Sequence, residues 1–478
     1  MMKKLSLTTV AFFMIFCVIA QQDFIMYNLR NVPQSIYSNP SNRFNGKFYI
    51  GLPALSSNYF SLSNSGFAYS DAFEERNGDL YLDFDNLINT MEDNNYLSFN
   101  LKVDLLSFGF NINDRTQLTV NVTENANFRL TYNKDLFRFI YKGNAGFGSS
   151  EANFEGLGLN LNHYREYGIG VSHQLTKKLR LGIKGKYLYG MENIYSEESN
   201  IKIQTDPQTF AIKGSADLTL RTTGFQEVDE NEGAMEYFSG RDNKGWGLDF
   251  GANYELNEKW SFNASVIDIG YITWKDYTKS YSNDGEPYNY RGVDIDILDA
   301  QSPGDETSFD RVLDSLQEAF NLVEKEGEEY KSALASRIYM GANYKLNDQT
   351  VAGGILHTEF FQGDIRPALS LNINRQMTKW ISLSAAYTLI NRSYNNLGLG
   401  LVLDPGPVQF YIVSDNVLGA IQPQHARHAQ VRFGLNLIFG RTKTKEFHTH
   451  FHGVIPNKSS DASEEGNSDS EAPPANEE

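Results

Sequence analysis

Leu179-Arg180-Leu181-Gly182-Ile183-Lys184-Gly185-Lys186-Tyr187-Leu188-Tyr189 is the stretch that decides the fold. Successive residues of a strand point to opposite faces. One face here carries Leu179, Leu181, Ile183, Gly185, Tyr187 and Tyr189, and the other carries Arg180, Lys184 and Lys186. An alternation kept up over about ten residues and closing on aromatics has the length of a tilted membrane strand and the place of its interfacial girdle. Strands of soluble sandwiches are shorter, usually about 5–6 residues. The segment reads as one strand of a barrel.

The pattern recurs. Trp246, Leu248, Phe250, Ala252, Tyr254 and Leu256 share a face, with Asp249, Asn253 and Glu255 opposite, and Trp260, Phe262, Ala264 and Val266 resume it after Asn257-Glu258-Lys259. In the final strand, Ala429–Phe439, Val431, Phe433, Leu435, Leu437 and Phe439 take the lipid face, and Arg432, Gly434 and Asn436 turn inward. Short turns at Thr176-Lys177-Lys178, Leu256–Trp260, Leu346–Thr350 and Arg375–Lys379 alternate with long polar insertions, roughly Met191–Pro207, Phe225–Lys244 and Lys275–Ala335. That asymmetry predicts periplasmic turns and extracellular insertions. Candidate strands lie at 48–53, 60–69, 97–111, 117–132, 167–175, 179–189, 210–222, 246–256, 260–272, 336–346, 351–360, 366–374, 380–390, 395–403, 408–413 and 430–439. The early ones are irregular, and a single-chain barrel favours an even number. The fold class is therefore all-β: a transmembrane antiparallel β-barrel of about 14 strands over residues 46–440.

The chain ends set the compartment. Lys3 and Lys4 precede an apolar run from Thr9 to Ala20, too short for a spanning helix of roughly 20 residues. Residues 1–20 read as a secretory signal cleaved before Gln21. Bulky Met14-Ile15-Phe16 ahead of Cys17 spoils a lipobox. Cys17 is the single cysteine, so the processed chain would have no disulfide, thiol catalysis or cysteine metal site. The formal charge of −17 grows more negative by two without Lys3 and Lys4, which argues against nucleic acid as a partner. Residues 441–478 read as an acidic tail in the periplasm, and from Ser459 onward too polar to bury a core. The 27 Tyr, 32 Phe and 39 Gly fit a barrel embedded in outer-membrane lipid.

Two inserted segments have helical spacing. Asn133–Asn144 predicts a short helix lining or capping the lumen. Ser308–Gly327, with Phe309, Val312, Leu313, Leu316 and Phe320 at i, i+3/i+4 spacing, predicts a helix in the largest insertion. That helix either packs over the barrel mouth or serves as a lid or partner-docking surface. There is no Gly-x-Ser-x-Gly elbow, phosphate loop or His-Glu-x-x-His helix, so no catalytic site and no cofactor is expected. His448, His450 and His452 alternate and would share a face for a metal in an extended segment. They lack a matching carboxylate or thiol and read better as a linker. His425 and His428 read as rim loop residues. Inward Arg180, Lys184, Lys186 and Arg432 either tune an open channel or pair with acids.

Val32-Pro33-Gln34-Ser35-Ile36-Tyr37-Ser38-Asn39-Pro40-Ser41 precedes the first strand with an Asn-Pro-Ala-like step. With Phe48–Pro53, Val266–Trp274 and Tyr411–Val417, it resembles the FadL-type long-chain fatty-acid transporter superfamily. In particular it resembles the Bacteroidota branch of outer-membrane barrels related to the PorV-like proteins of type IX secretion. The resemblance implies 14 strands and an N-terminal plug, residues 21–45, with Asn39 and Pro40 as its candidate residues; Ser41 departs from the usual Ala. Two functions follow by analogy. One is passage of a hydrophobic or small compound. The other is a non-enzymatic accessory role in an outer-membrane complex, with outer-membrane or periplasmic protein partners.

Overall fold

The computed structural model describes residues 23–148, 150–205, 212–225, 242–283, 322–390 and 393–441. Residues 1–20, the helix residues Phe309, Val312, Leu313, Leu316 and Phe320, and His448, His450 and His452 lie outside them.

Fourteen antiparallel strands close into a barrel among the described residues. Strand β1 is interrupted, comprising Phe48–Gly51 and Asn58–Asn64. It is followed by β2 (Asn94–Asn111), β3 (Thr116–Asn133), β4 (Gly158–Gln174), β5 (Leu179–Thr205), β6 (Lys244–Glu255) and β7 (Trp260–Trp274). The second half is β8 (Ser336–Asn347), β9 (Thr350–Phe361), β10 (Asp364–Gln376), β11 (Ile381–Ile390), β12 (Ser393–Leu403), β13 (Val408–Ser414) and β14 (His428–Phe439). Each pairs with the next, and β14 closes the ring on both halves of β1. Closure leaves no open edge, which a sheet in lipid requires.

The outer face is apolar and its aromatics fall into two belts. Ile169, Val171, Leu181, Ile183, Phe250 and Leu371 are exposed between them. Tyr167, Tyr187 and Trp246 stand in register across β4, β5 and β6. Trp260, Tyr344 and Trp380 mark the other belt near the short turns. Such an outer band is that of a transmembrane barrel. Among the described residues no helix is long and apolar enough to cross a membrane, which says nothing of strands. The alternation read from 179–189 holds: Arg180, Lys184 and Lys186 are buried inside, and Leu181, Ile183 and Tyr187 are exposed outside.

The sequence reading needs four corrections. The candidates 48–53 and 60–69 are one strand, broken where Pro53 cannot donate a ladder bond. The break turns Ser56 and Ser57 inward, with Ala54 at φ +57°. The candidate 210–222 stands outside the barrel, because Met191–Thr205, expected as loop, prolongs β5 and pairs with Ile212–Thr223. Lys279–Ser282 adds to this outer sheet and pairs with Val323–Glu326, so the end of the expected helix 308–327 is strand. There, ladder hydrogen bonding overrides the helical spacing. Finally, His428 is buried as the first residue of β14 and not in a rim loop. The helix expected in 133–144 is Lys134–Lys142, capped by the Asn133 side chain accepting from the Leu136 amide. Its Leu136, Phe137 and Phe139 pack among the loop-end clusters.

Candidate functional site

Residues 23–45 run inside the barrel, and their sequence explains how. Phe24–Asn28 forms one helical turn and Pro33–Tyr37 a 3-10 turn, started by Pro33 where a missing N–H costs nothing. Ile25, Met26, Leu29 and Val32 pack against inward Ala386, Val402, Tyr411 and Val413. Phe24 and Tyr27 pack against Ile267, Tyr339 and Ile355, with the Tyr27 and Tyr339 rings stacked at 4.9 Å. Polar contacts hold the same segment. Arg432 grips Asp23 through Nε at 2.8 Å and Nη2 at 2.7 Å, and donates to Ser57 Oγ at 2.7 Å. The Asp415 carboxylate accepts from the Phe24 and Ile25 amides, both at 2.9 Å. Gln34 and Asn436 exchange amide hydrogen bonds of 2.7 and 2.8 Å.

Asn39 and Pro40 lie against the wall at a pair of glycines. Gly182 on β5 and Gly251 on β6 are register partners. A Cβ on Gly182 would collide with the Pro40 carbonyl, and one on Gly251 with the Asn39 amide oxygen. Asn39 Oδ1 accepts from both the amide and hydroxyl of Ser41, at 3.0 and 2.6 Å. Asn253 donates to Ser41 Oγ at 2.7 Å and to Asn42 Oδ1 at 3.0 Å. The hydroxyl that departs from the Asn-Pro-Ala pattern is therefore used. Tyr37 completes the contact by donating to Asp104 at 2.6 Å.

Charged residues line the wall beside and beyond this segment. Lys184 binds Glu166 at 2.5 Å, and Lys186 binds Asp249 at 2.8 Å and Asp268. Asp268, at φ +61° on a bulge of β7, is aimed inward alongside Ile267. Arg337 shares Asp268, while Arg129 binds Glu359 at 2.7 Å with Arg366 Nη1 3.5 Å from the same carboxylate. Of the inward cations singled out from sequence, Lys184, Lys186 and Arg432 pair with acids. Arg180 donates to Ser172 Oγ at 3.0 Å, while its Nε and Nη2 have no hydrogen-bond partner among the described residues.

Above the segment, toward the long-loop end, the lumen opens into a cavity of about 60 Å³, lined by Tyr59, Lys102, Arg129, Asp268, Arg337 and Glu359 among others. Its height follows from the strands: Glu359 lies two residues nearer the loop end of β9 than His357, whose ring meets Phe24 edge-on at 5.6 Å. Tyr59 lines the cavity and lies 4.5 Å below the guanidinium of Arg432, which holds Asp23. Sequence reasoning missed this group. The wall under residues 23–45 did carry a signal, apolar residues on both faces of late strands as in Leu401-Val402-Leu403 and Ile412-Val413, where Val402 and Val413 meet that segment.

A transmembrane 14-strand barrel with chain folded into its lumen is the class that fold and site define. Within that class, the chain belongs to a family of unknown function, DUF5723, whose model matches residues 40–415. No curated protein matches it in sequence. Among solved structures it is similar to the Pseudomonas putida toluene transporter TodX, at 8% identity and TM-score 0.38, over 84% of this chain and 92% of that one. A Pseudomonas aeruginosa FadL homologue is matched at 9% identity and TM-score 0.40, over 89% and 100%. The Ralstonia pickettii toluene transporter TbuX follows at 10% and 0.33, over 85% and 94%. The barrel assignment rests on the strand pairing and not on these likenesses.

Proposed function

We propose that this protein is an outer-membrane passage for a hydrophobic or small compound, gated by residues 23–45. The observation that carries the reading is the sequence of layers along the lumen: a cavity at the loop end, then a packed segment anchored at Asp23. In this reading the short turns face the periplasm, residues 441–478 hang there as a tail, and the loop end faces outward. A solute entering the cavity touches Tyr59, and through it Arg432 and Asp23, so occupancy bears on the anchor. Removal of residues 1–20 belongs to the same reading, since Asp23 is already deep in the lumen and a retained apolar leader would have to share that space. The toluene transporters and the FadL homologue supply the hydrophobic half of the cargo class by analogy. Solute entry into proteoliposomes tests it. Toluene or small hydrophilic solutes should enter faster with the protein than without, and faster still with Arg432→Ala. Entry equal to empty liposomes for both proteins rejects passage.

A second role, as an accessory subunit resembling the PorV-like barrels, is supported by the outer sheet formed by β5 beyond the membrane, Ile212–Thr223, Lys279–Ser282 and Val323–Glu326. Purification from native membranes should then bring down a stoichiometric partner that is lost on deleting 284–321.

A further inference from the structure

The cavity above residues 23–45 has an electrostatic bias that its ion pairs do not cancel. Its paired charges balance: Arg129 and Arg366 share Glu359 and Asp364, and Lys184, Lys186 and Arg337 share Glu166, Asp249 and Asp268. Lys102 is additional. It lines the cavity with Arg337 and Lys186 as cationic and Asp268 and Glu166 as anionic neighbours, and its side chain makes no hydrogen bond or ion pair among the described residues. Arg129 is 5% exposed and spends Nη2 on Glu359; among the described residues its Nε and Nη1, and Arg337 Nε, have no hydrogen-bond partner. This surplus of positive charge stands inside a chain that carries 59 acids against 42 Lys and Arg.

The rest of the lining mixes carboxamides with apolar Phe128, Ala333, Leu334, Ala335 and Phe361. Asn100, Asn127, Asn160 and Asn162 line the same space; Asn100 donates to Ser61, Asn160 pairs with Gln362, Asn162 Oδ1 accepts from Asn193 and Ser332, and the Asn127 side chain makes no hydrogen bond among the described residues. Toward the turn end the bias continues, with Arg180 near Arg43 and two of its nitrogens unpartnered. A cation left unpaired in a low-dielectric cleft attracts an anion. Guanidinium and ammonium donors together suit a carboxylate, and carboxamides suit hydroxyl groups.

We propose that this cavity binds a small hydroxylated carboxylate, which makes the admitted solute an organic acid; the inference rests on the passage reading above and narrows it. Lys102 and Arg129 take the carboxylate, and the asparagines take the hydroxyls. Calorimetric titration of the full-length protein in detergent with sodium gluconate, and with neutral glucitol, tests it. Gluconate should bind saturably and more weakly as salt is added, and glucitol should not. Because Lys102 holds nothing in place, Lys102→Gln should keep the heat-modifiable gel shift of a folded barrel. It should weaken gluconate about tenfold or more, and Lys102→Arg should restore most of the loss. Equal behaviour of gluconate and glucitol, or unchanged gluconate binding in Lys102→Gln, overturns the proposal. Gluconate binding without gluconate flux in proteoliposomes leaves the site standing and rejects passage. Toluene flux without gluconate binding does the reverse.

Discussion

The two halves of the lumen solve one problem differently. Both present an inner wall that must not meet lipid, yet the turn-end half is filled by the chain's own residues 23–45, while the loop-end half keeps a charged cavity. In the filled half, apolar wall residues such as Val402 and Val413 meet Ile25 and Met26, and amides pair with amides at Gln34 and Asn436. In the open half, the ion pairs balance and one cation, Lys102, is left over. A polar interior therefore does not by itself define a pore: what decides is whether the wall is complementary to the chain or to a solute.

The comparison breaks most readily at its anchor. Arg432→Ala leaves the Asp23 carboxylate buried without its partner, and should cost about 3–5 kcal/mol. Urea unfolding from bilayers measures that loss, and Asp23→Ala in the same background should recover part of it. Next in size is the contrast between wall faces. Ile183→Arg places a charge on the lipid side and should cost about 2–4 kcal/mol. Its neighbour Lys184 already carries a charge on the inner side at no such penalty, because Glu166 meets it. Folding yield into lipid vesicles separates the two positions.

Gly182→Val sharpens the filled half alone. Its side chain would occupy the place of the Pro40 carbonyl, so about 1–3 kcal/mol of overpacking falls on the docking of Asn39-Pro40-Ser41. Limited proteolysis should then cut near residue 40 in folded barrels, where the native protein resists. The smallest expected effect is Asn253→Ala, about 0.5–1.5 kcal/mol for each of its hydrogen bonds to Ser41 and Asn42. Asn253→Ser should retain part of it.

What could be read in the sequence follows the same division. The outer face was legible because lipid demands alternation without exception, as 179–189 shows, and the count of about 14 strands follows once Pro53 is seen to break one strand in two and 210–222 is set outside the barrel. Beyond the membrane that demand lapses. Asn193–Asn200 carries polar residues on both faces, so the continuation of β5 to Thr205 had no pattern to betray it. Within 23–45 no period runs, since each residue meets a different strand. Asn39 and Pro40 could be named from kinship, but not the glycine pair that receives them. The cavity residues come from two strand pairs far apart in sequence, Lys102 and Arg129 from β2 and β3 and Arg337 and Glu359 from β8 and β9, and Asp268 faces inward through a bulge that alternation does not reveal.

The central claim is that residues 23–45 close the barrel. Single-channel recording in planar bilayers tests it directly, comparing the native protein with Gly182→Val and Arg432→Ala, all three shown to be folded by heat-modifiable migration. The account predicts a native barrel silent or nearly so, and discrete open-pore conductance in both variants. A native barrel that conducts steadily at the same level as the two variants would contradict it.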